Sequence, residues 1–397
     1  MRIKWALSID RLVGAPLGLA LRAAAGLFPR ARRAPGPIEP PRHILVLKCL
    51  GFGSIIQMAP MLATLRAQWP EARITLLTFE QNAGLAALMP CINDVATIEF
   101  RQGRLRFAWE TLRAILHLRR ARPDLLIDCE FFSYYVAFLT HLIAPAKAVT
   151  IGYFNNRRTK DWIFTHAIAI DLSEHITQSF QKALAPIGID TPPPMLEECG
   201  FAIPQGAHES LAGKLTAWGI GDLGSAVVVN INASDLCLNR RWPVERYQEL
   251  LRRLAQTDAA PRDYLLIGGH EDVEYVTACC NALAGVVGVH NLAGKTTLPE
   301  LAALLSGAAL FIGNDSGPLH LAEACGVPSI SFFGPETPNL YGPRGEKHTV
   351  FYDRPHCSPC LNVFYAKDNN CNDNICLKAI SVEQVIQKTR SVVRRSG

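Results

Sequence analysis

From His43 onward the chain alternates short, β-rich apolar runs with longer amphipathic stretches, and it does so twice. The first series of strand-like runs lies at 43–50 (HILVLKCL), 73–79, 95–100, 124–131 and 148–154, with helix-like segments such as Pro60–Trp69 and Leu105–Ala121 between them. Near-continuous apolar strands separated by helices belong to parallel sheets covered on both faces. The Pro-rich stretch 191–206 breaks the rhythm. A second series follows at 225–233, 263–269, 285–294, 309–315 and 328–334, again with helices between, for instance Pro243–Ala255 and Leu298–Ser306. The pattern predicts an α/β protein of two doubly wound, Rossmann-like domains, 43–204 and 205–397, behind an N-terminal arm, 1–42. A length of 397 residues suits two domains. Such domains bind ligands at the strand C-termini, which suits a nucleotide-sugar enzyme, a periplasmic-type binder or a dehydrogenase equally.

Charge separates the arm from the body. Residues 1–43 hold eight Lys or Arg and two acidic residues, a balance of +6, and the remaining 32 basic and 33 acidic residues leave the body at −1. The body therefore has no basic footprint for nucleic acid. The arm's apolar stretch, Leu12 to Leu21, is too short to span a bilayer as a helix. It reads as a basic, apolar-faced helix on anionic lipid or as an extension with no partner. A signal peptide fits poorly, because Asp10 and Arg22 interrupt it. Most of the twelve cysteines lie in apolar runs and read as reduced thiols of a cytoplasmic protein.

The segment LFIGNDSGPLHLAEACGVPSISFFGPETP (310–338) carries the most specific chemistry. A buried strand ends at Asn314-Asp315, and Ser316-Gly317-Pro318 opens a helix bearing His320. Small residues let a phosphate approach backbone N–H groups, and the helix dipole favours its charge. An ordinary capped helix would share the bare D-S-G-P.

The whole stretch resembles the signature of glycosyltransferase family 9, which includes the ADP-heptose:lipopolysaccharide heptosyltransferases. The matching residues are Asp315, Ser316, Gly317, His320, Ala324, Gly326, Pro328, Phe333, Gly334, Thr337 and Pro338, and the likeness extends from His43 to about residue 388. The resemblance implies two facing domains of the GT-B type with a cleft between them. It also implies an inverting transfer needing no metal or other cofactor, with the nucleoside-diphosphate sugar (ADP-heptose favoured) in the C-terminal domain. The acceptor, a lipopolysaccharide core or related lipid-linked glycan, would lie in the N-terminal one. The protein would then work at the inner face of the inner membrane, held there by the arm.

By the same resemblance, NRRWP (239–243) matches a basic-x-Trp-Pro element, with Arg240 as the cation for the leaving diphosphate or else a solvated surface arginine. GGHED (268–272) matches a loop carrying an acidic ribose contact, either Glu271 or Asp272. LKCLGFGS resembles the first strand–Gly loop–helix of the acceptor domain, with Gly51 and Gly53 allowing close approach of substrate. Ser54 stands where better-known relatives have the Asp taken as catalytic base, and a serine has no useful basicity near neutral pH. Glu130, in DLLIDCEFFS, is a carboxylate gained at a neighbouring strand end. It reads as a relocated base, with Asp128 on the same strand face, or as a surface Glu paired with an arginine. His175 either positions the acceptor or caps a helix. If no base replaces the Asp, the chain is a silent nucleotide-sugar binder.

Last, Cys357, Cys360, Cys371 and Cys376 have the count and first spacing of a structural zinc site. Two disulfides or four free thiols are the other readings.

Overall fold

The β-α alternation closes into two six-stranded sheets, each wholly parallel, in a computed structural model. It describes residues 33–396 except 101, 132, 155–159, 235–236, 257–262 and 362–370. The chain divides into two compact units between Met195 and Leu196. The residues just past that point belong with the second unit, where Glu197 pairs with Lys347 at 2.5 Å.

The first unit holds β1 (His43–Leu47), β2 (Arg73–Phe79), β3 (Asp94–Ile98), β4 (Leu125–Asp128), β5 (Val149–Phe154) and β6 (His166–Ala169), in the sheet order β3-β2-β1-β4-β5-β6. The central strands are apolar on both faces because helices cover both, and Ile44, Leu45, Val46 and Leu47 are all fully buried. Helices Ala59–Gln68, Arg104–Arg120 and Tyr134–Ile143 make the crossovers. Ser133 starts the last of these by accepting the Val136 N–H at 3.2 Å.

The second unit repeats the plan with β7 (Val227–Asn230), β8 (Tyr264–Leu266), β9 (Val289–Asn291), β10 (Leu310–Asn314), β11 (Ser329–Phe333) and β12 (His348–Tyr352), ordered β12-β11-β10-β7-β8-β9. Helix Val244–Ala255 and the C-terminal helix Val382–Ser396 join one core with the sheet, through Leu250, Leu254, Val385 and Ile386. Helix Leu298–Gly307 starts from a capping box between Thr297 and Glu300.

Read from its own first strand, each sheet has the order 3-2-1-4-5-6. Each therefore has one switch point, β1/β4 in the first unit and β7/β10 in the second, where crossovers leave in opposite directions and open a crevice. The sixth strand of each sheet, β6 and β12, was not marked out by the apolar pattern. Both lie at a sheet edge and are half exposed, so their sequences are mixed. The apolar basic part of the arm, residues 1–32, lies outside the described residues. Residues 33–42 run without helix or strand along the first unit, where the Gly36 N–H donates to the Pro186 carbonyl at 3.0 Å.

Candidate functional site

At the second unit's switch point Gly313 on β10 is level with Asn230 on β7. Three asparagines bind the two strand ends together. Asn314 Oδ1 accepts from the Trp242 N–H (2.8 Å) and the Tyr247 hydroxyl (3.0 Å), while its Nδ2 donates to the Asn232 carbonyl at 3.0 Å. Asn232 Nδ2 donates to Asn230 Oδ1 (3.0 Å) and the Ile267 carbonyl (2.8 Å). Asn230 Nδ2 donates to Ser316 Oγ at 2.7 Å, and that hydroxyl donates to the Asn314 carbonyl at 3.1 Å. Ser316 is thus the N-cap residue of helix Gly317–Ala324 by position, yet its side chain serves the asparagine network and does not cap. Pro318 stands in the first turn, where its missing N–H costs no hydrogen bond.

A short turn, Leu238–Arg240, brings Arg240 against the same helix start. Its Nη1 lies 3.1 Å from Asp315 Oδ2, and both side chains are buried. The surface-arginine alternative therefore fails. Burial works against the guanidinium charge, but the Asp315 carboxylate, and Glu336 beyond it, more than restore it and push the Arg240 pKa up. Arg240 Nε is buried with no hydrogen-bond partner among the described residues. The turn is fixed by Trp242, fully buried, which stacks on Phe332 (centroids 4.5 Å apart) and donates from Nε1 to the Ile380 carbonyl at 3.1 Å. Arg241 leaves the other way, its guanidinium 4.1 Å above the Tyr275 ring and 3.8 Å from Asp272.

Asp272 also accepts the Gly269 N–H at 3.0 Å, closing its own turn, whereas Glu271 beside it is exposed. Gly268 sits tightly in that loop: a Cβ there would stand 2.8 Å from Asp272 Cβ and 2.9 Å from Asn232 Nδ2. His320 is buried one turn into its helix, with Nδ1 4.0 Å from Glu323, whose other oxygen accepts the Arg344 N–H at 3.0 Å.

At the first unit's switch point, Leu47 on β1 is level with Asp128 on β4. Gly51 turns the chain at φ +82° into helix Phe52–Gln57, a conformation that disfavours any side chain, and a Cβ there would meet Ser54 Oγ at 3.0 Å. Gly53 and Ser54 lie in this helix, both half-buried. Glu130 is buried, and its Oε1 accepts the N–H groups of Cys49 (2.9 Å) and Leu50 (2.6 Å) and lies 3.0 Å from Lys48 Nζ. It is neither a surface residue nor paired with an arginine.

Asp128 is fully buried, and its Oδ1 accepts the Glu130 N–H at 2.8 Å. Burial pushes its pKa up to about 7, held back by the nearby Lys160 ammonium. Lys160, also buried, donates to the carbonyls of Glu130 (2.9 Å) and Ser133 (3.3 Å). His175 caps helix Ile176–Gln181, its Nδ1 accepting the Thr177 N–H at 3.4 Å, so the capping role is realised.

Sequence reasoning missed Lys48, Lys160 and the paired Asn230 and Asn232. The signal was present at two of these places: a lysine directly after an apolar strand, and asparagines two residues apart inside an apolar run, hence on one face.

Among the described residues no group of three or more His, Cys, Asp or Glu side chains assembles to hold a metal ion, and all four C-terminal cysteines are free thiols. Cys376 is built into the core with Trp242 and Phe332, whereas Cys357 is exposed. Burial, with smaller contributions from the other three thiols, pushes the Cys376 pKa up to about 11.

Residues 112–368 match the sequence profile of "Glycosyltransferase family 9 (heptosyltransferase)", well over half of the chain. The chain belongs to glycosyltransferase family 9. Among the relatives of this family 9 chain is lipopolysaccharide heptosyltransferase 3 of Escherichia coli, 26% identical over 291 residues, covering 71% of this chain and 80% of that one. A family 9 glycosyltransferase from Veillonella parvula superposes with a TM-score of 0.72 at 22% identity, covering 89% of this chain and 97% of its own. The E. coli heptosyltransferase WaaC, solved with ADP, gives 0.66 at 18% identity, covering 88% and 99%. These likenesses show the GT-B-type fold. The family 9 membership makes the protein a glycosyltransferase, and the β7/β10 switch point carries the residues of the family signature.

Proposed function

We propose that this glycosyltransferase transfers a heptose from ADP-heptose to a lipopolysaccharide core or related lipid-linked glycan, with inversion and without a metal. The observation that carries the donor half is the buried Arg240–Asp315 pair beside Ser316 at the start of helix Gly317–Ala324. A fixed guanidinium next to a helix N-terminus offers two kinds of positive end to one diphosphate, and WaaC, which shares the fold, binds ADP. In this reading Arg240 and the helix start take the diphosphate. Ser316 donates to a phosphate oxygen, Gly317 lets it approach, and His320 lines the pocket behind. Glu271, exposed where Asp272 is occupied by Gly269 and Arg241, takes the ribose hydroxyls. Gly51, Gly53 and His175 belong to the acceptor side.

The acceptor hydroxyl attacks the anomeric carbon as the bond to the diphosphate oxygen breaks. The electron pair leaves with the nucleoside diphosphate, and the proton passes to a base. Glu130 is that base in our reading. Among the described residues its hydrogen bonds fall on Oε1, leaving Oε2 to take the proton. Ser54 cannot serve, and its presence keeps a second reading open, a nucleotide-sugar binder without turnover. The arm is proposed to hold the enzyme at the cytoplasmic face of the membrane. Incubation with ADP- and UDP-sugars and lipid-linked acceptors tests the whole reading: acceptor-dependent ADP release supports it, and donor binding without release supports the silent binder.

A further inference from the structure

Helix Arg104–Arg120 (RLRFAWETLRAILHLRR) has two apolar lines, and among the described residues only one of them is covered. Phe107, Thr111, Ala114 and Leu118, at steps of four, three and four, face the first unit's core. Ala114 and Leu118 are buried in it, the Phe107 ring lies 5.2 Å from that of Tyr135, and Thr111 Oγ1 is 2.7 Å from the Tyr135 hydroxyl. Leu105, Trp109, Leu112 and Leu116 repeat the same steps on the opposite side and form a second line about 16 Å long. Their exposures are 90%, 64%, 47% and 47%, so nothing among the described residues covers them. Leu142, 46% exposed, lies near the C-terminal end of this helix, where Arg119 Nη1 donates to its carbonyl at 3.0 Å. A contiguous exposed apolar line of this kind marks a contact surface.

The charges say what the contact is. The helix carries five arginines and one acidic residue, Glu110, which is itself paired with Arg113 at 2.9 Å. Arg106, Arg113 and Arg120, seven residues apart, make a row along one side of the line, and Arg104 and Arg119 lie on the other. All five are exposed. Pairing this face with the same face of a second copy would set arginine rows against each other. An anionic bilayer surface satisfies both features: the Leu and Trp side chains enter the headgroup boundary while the guanidinium groups stay with lipid phosphates. Among the described residues no helix is long and apolar enough to cross a membrane, so this helix would lie in the surface.

We infer that helix Arg104–Arg120 is a membrane-docking face of the first unit, with anionic lipid as its partner and Trp109 at the centre of the contact. This inference is independent of the donor and acceptor chemistry proposed above and of the arm.

The test uses the full chain with phosphatidylcholine vesicles, with and without phosphatidylglycerol. The triple variant Leu105→Gln/Leu112→Gln/Leu116→Gln alters only exposed side chains. It should lose about tenfold or more in partition onto the anionic vesicles, with thermal midpoint and ADP binding unchanged. Trp109→Phe keeps an apolar side chain and should bind nearly as well, but should lose part of the fluorescence quenching that brominated lipids cause in the unsubstituted protein. That loss reports this helix and not the arm. Unchanged partition of the triple variant, or unchanged quenching in Trp109→Phe, would overturn the inference. So would a self-association abolished by the triple variant in a protein that ignores vesicles, which would assign the face to a second copy.

Discussion

Glu130 Oε1 lies 3.0 Å from Lys48 Nζ while accepting the N–H groups of Cys49 and Leu50. The carboxylate that follows β4 is thereby built into the turn that ends β1, at the switch point of the first sheet. A buried pair of this kind is costly to break by removing one partner, about 3–5 kcal/mol, because the other charge is left uncompensated. It also fixes the orientation of the Glu130 carboxylate.

Glu130→Gln keeps the hydrogen-bonding role of that side chain but leaves Lys48 uncompensated, so the variant's thermal midpoint should fall as well. The amide oxygen still accepts from Cys49 and Leu50, but no oxygen can take a proton. As a base, Glu130 is worth roughly 10²–10⁴ in turnover, so the variant should lose that much in kcat while its Kd for ADP stays the same. Turnover within a few-fold of the unsubstituted enzyme would leave Glu130 as an anchor of the turn alone.

Asp128 makes stability depend on pH. Its carboxyl is raised from 3.8 to about 7 by burial, so the native state keeps a proton that the unfolded chain releases. The contribution favours the fold most below the unfolded value and is lost as the pH rises to about 7. Asp128→Asn cannot ionise and still accepts the Glu130 N–H. Urea midpoints measured across this range should fall for the unsubstituted protein more steeply than for the variant; parallel curves would mean that Asp128 is ionised throughout.

Arg240→Lys keeps a cation opposite Asp315, sparing that buried carboxylate from isolation, but loses the planar fork. Charge-assisted hydrogen bonds are worth roughly 1.5–3 kcal/mol. Calorimetric titration should therefore show ADP affinity about tenfold or more weaker with the fold intact. Equal affinity would remove Arg240 from the diphosphate site.

Gly268→Ala probes the loop after β8. The new methyl would stand 2.8 Å from Asp272 Cβ and 2.9 Å from Asn232 Nδ2, so one of them must move. Overpacking of this sort costs about 1–3 kcal/mol. Because Asn232 ties β7 to β8 through Ile267, ADP affinity should fall along with the thermal midpoint. A variant as stable as the parent, with unchanged ADP binding, would show that the loop yields freely.

The sequence by itself determined the class of fold and the places where chemistry gathers. Short apolar runs such as 43–50 and 309–315, alternating with longer helical stretches, read as strands buried on both faces, and strands of that kind belong to parallel sheets, so the alternation announced two doubly wound units. The local order Asp315-Ser316-Gly317-Pro318 likewise determined a strand end followed by a helix start, because each preference acts over neighbouring residues. What the tertiary structure decided is which distant residues meet. The basic-x-Trp-Pro element picked out Arg240, but only the fold shows where it goes: Arg240 meets Asp315 and Arg241 the Tyr275 ring, on either side of the buried Trp242. Asp272 closes its own turn and faces Arg241, whereas Glu271 beside it is exposed. Four cysteines share the spacing of a metal site, yet among the described residues no such group assembles, and Cys376 packs into the apolar core through contacts that no spacing rule contains. Lys48 and Glu130 stand far apart in the chain and meet because β1 and β4 are neighbours at a switch point. Pairing across a sheet is set by the summed burial of many side chains, and no window of sequence contains that sum.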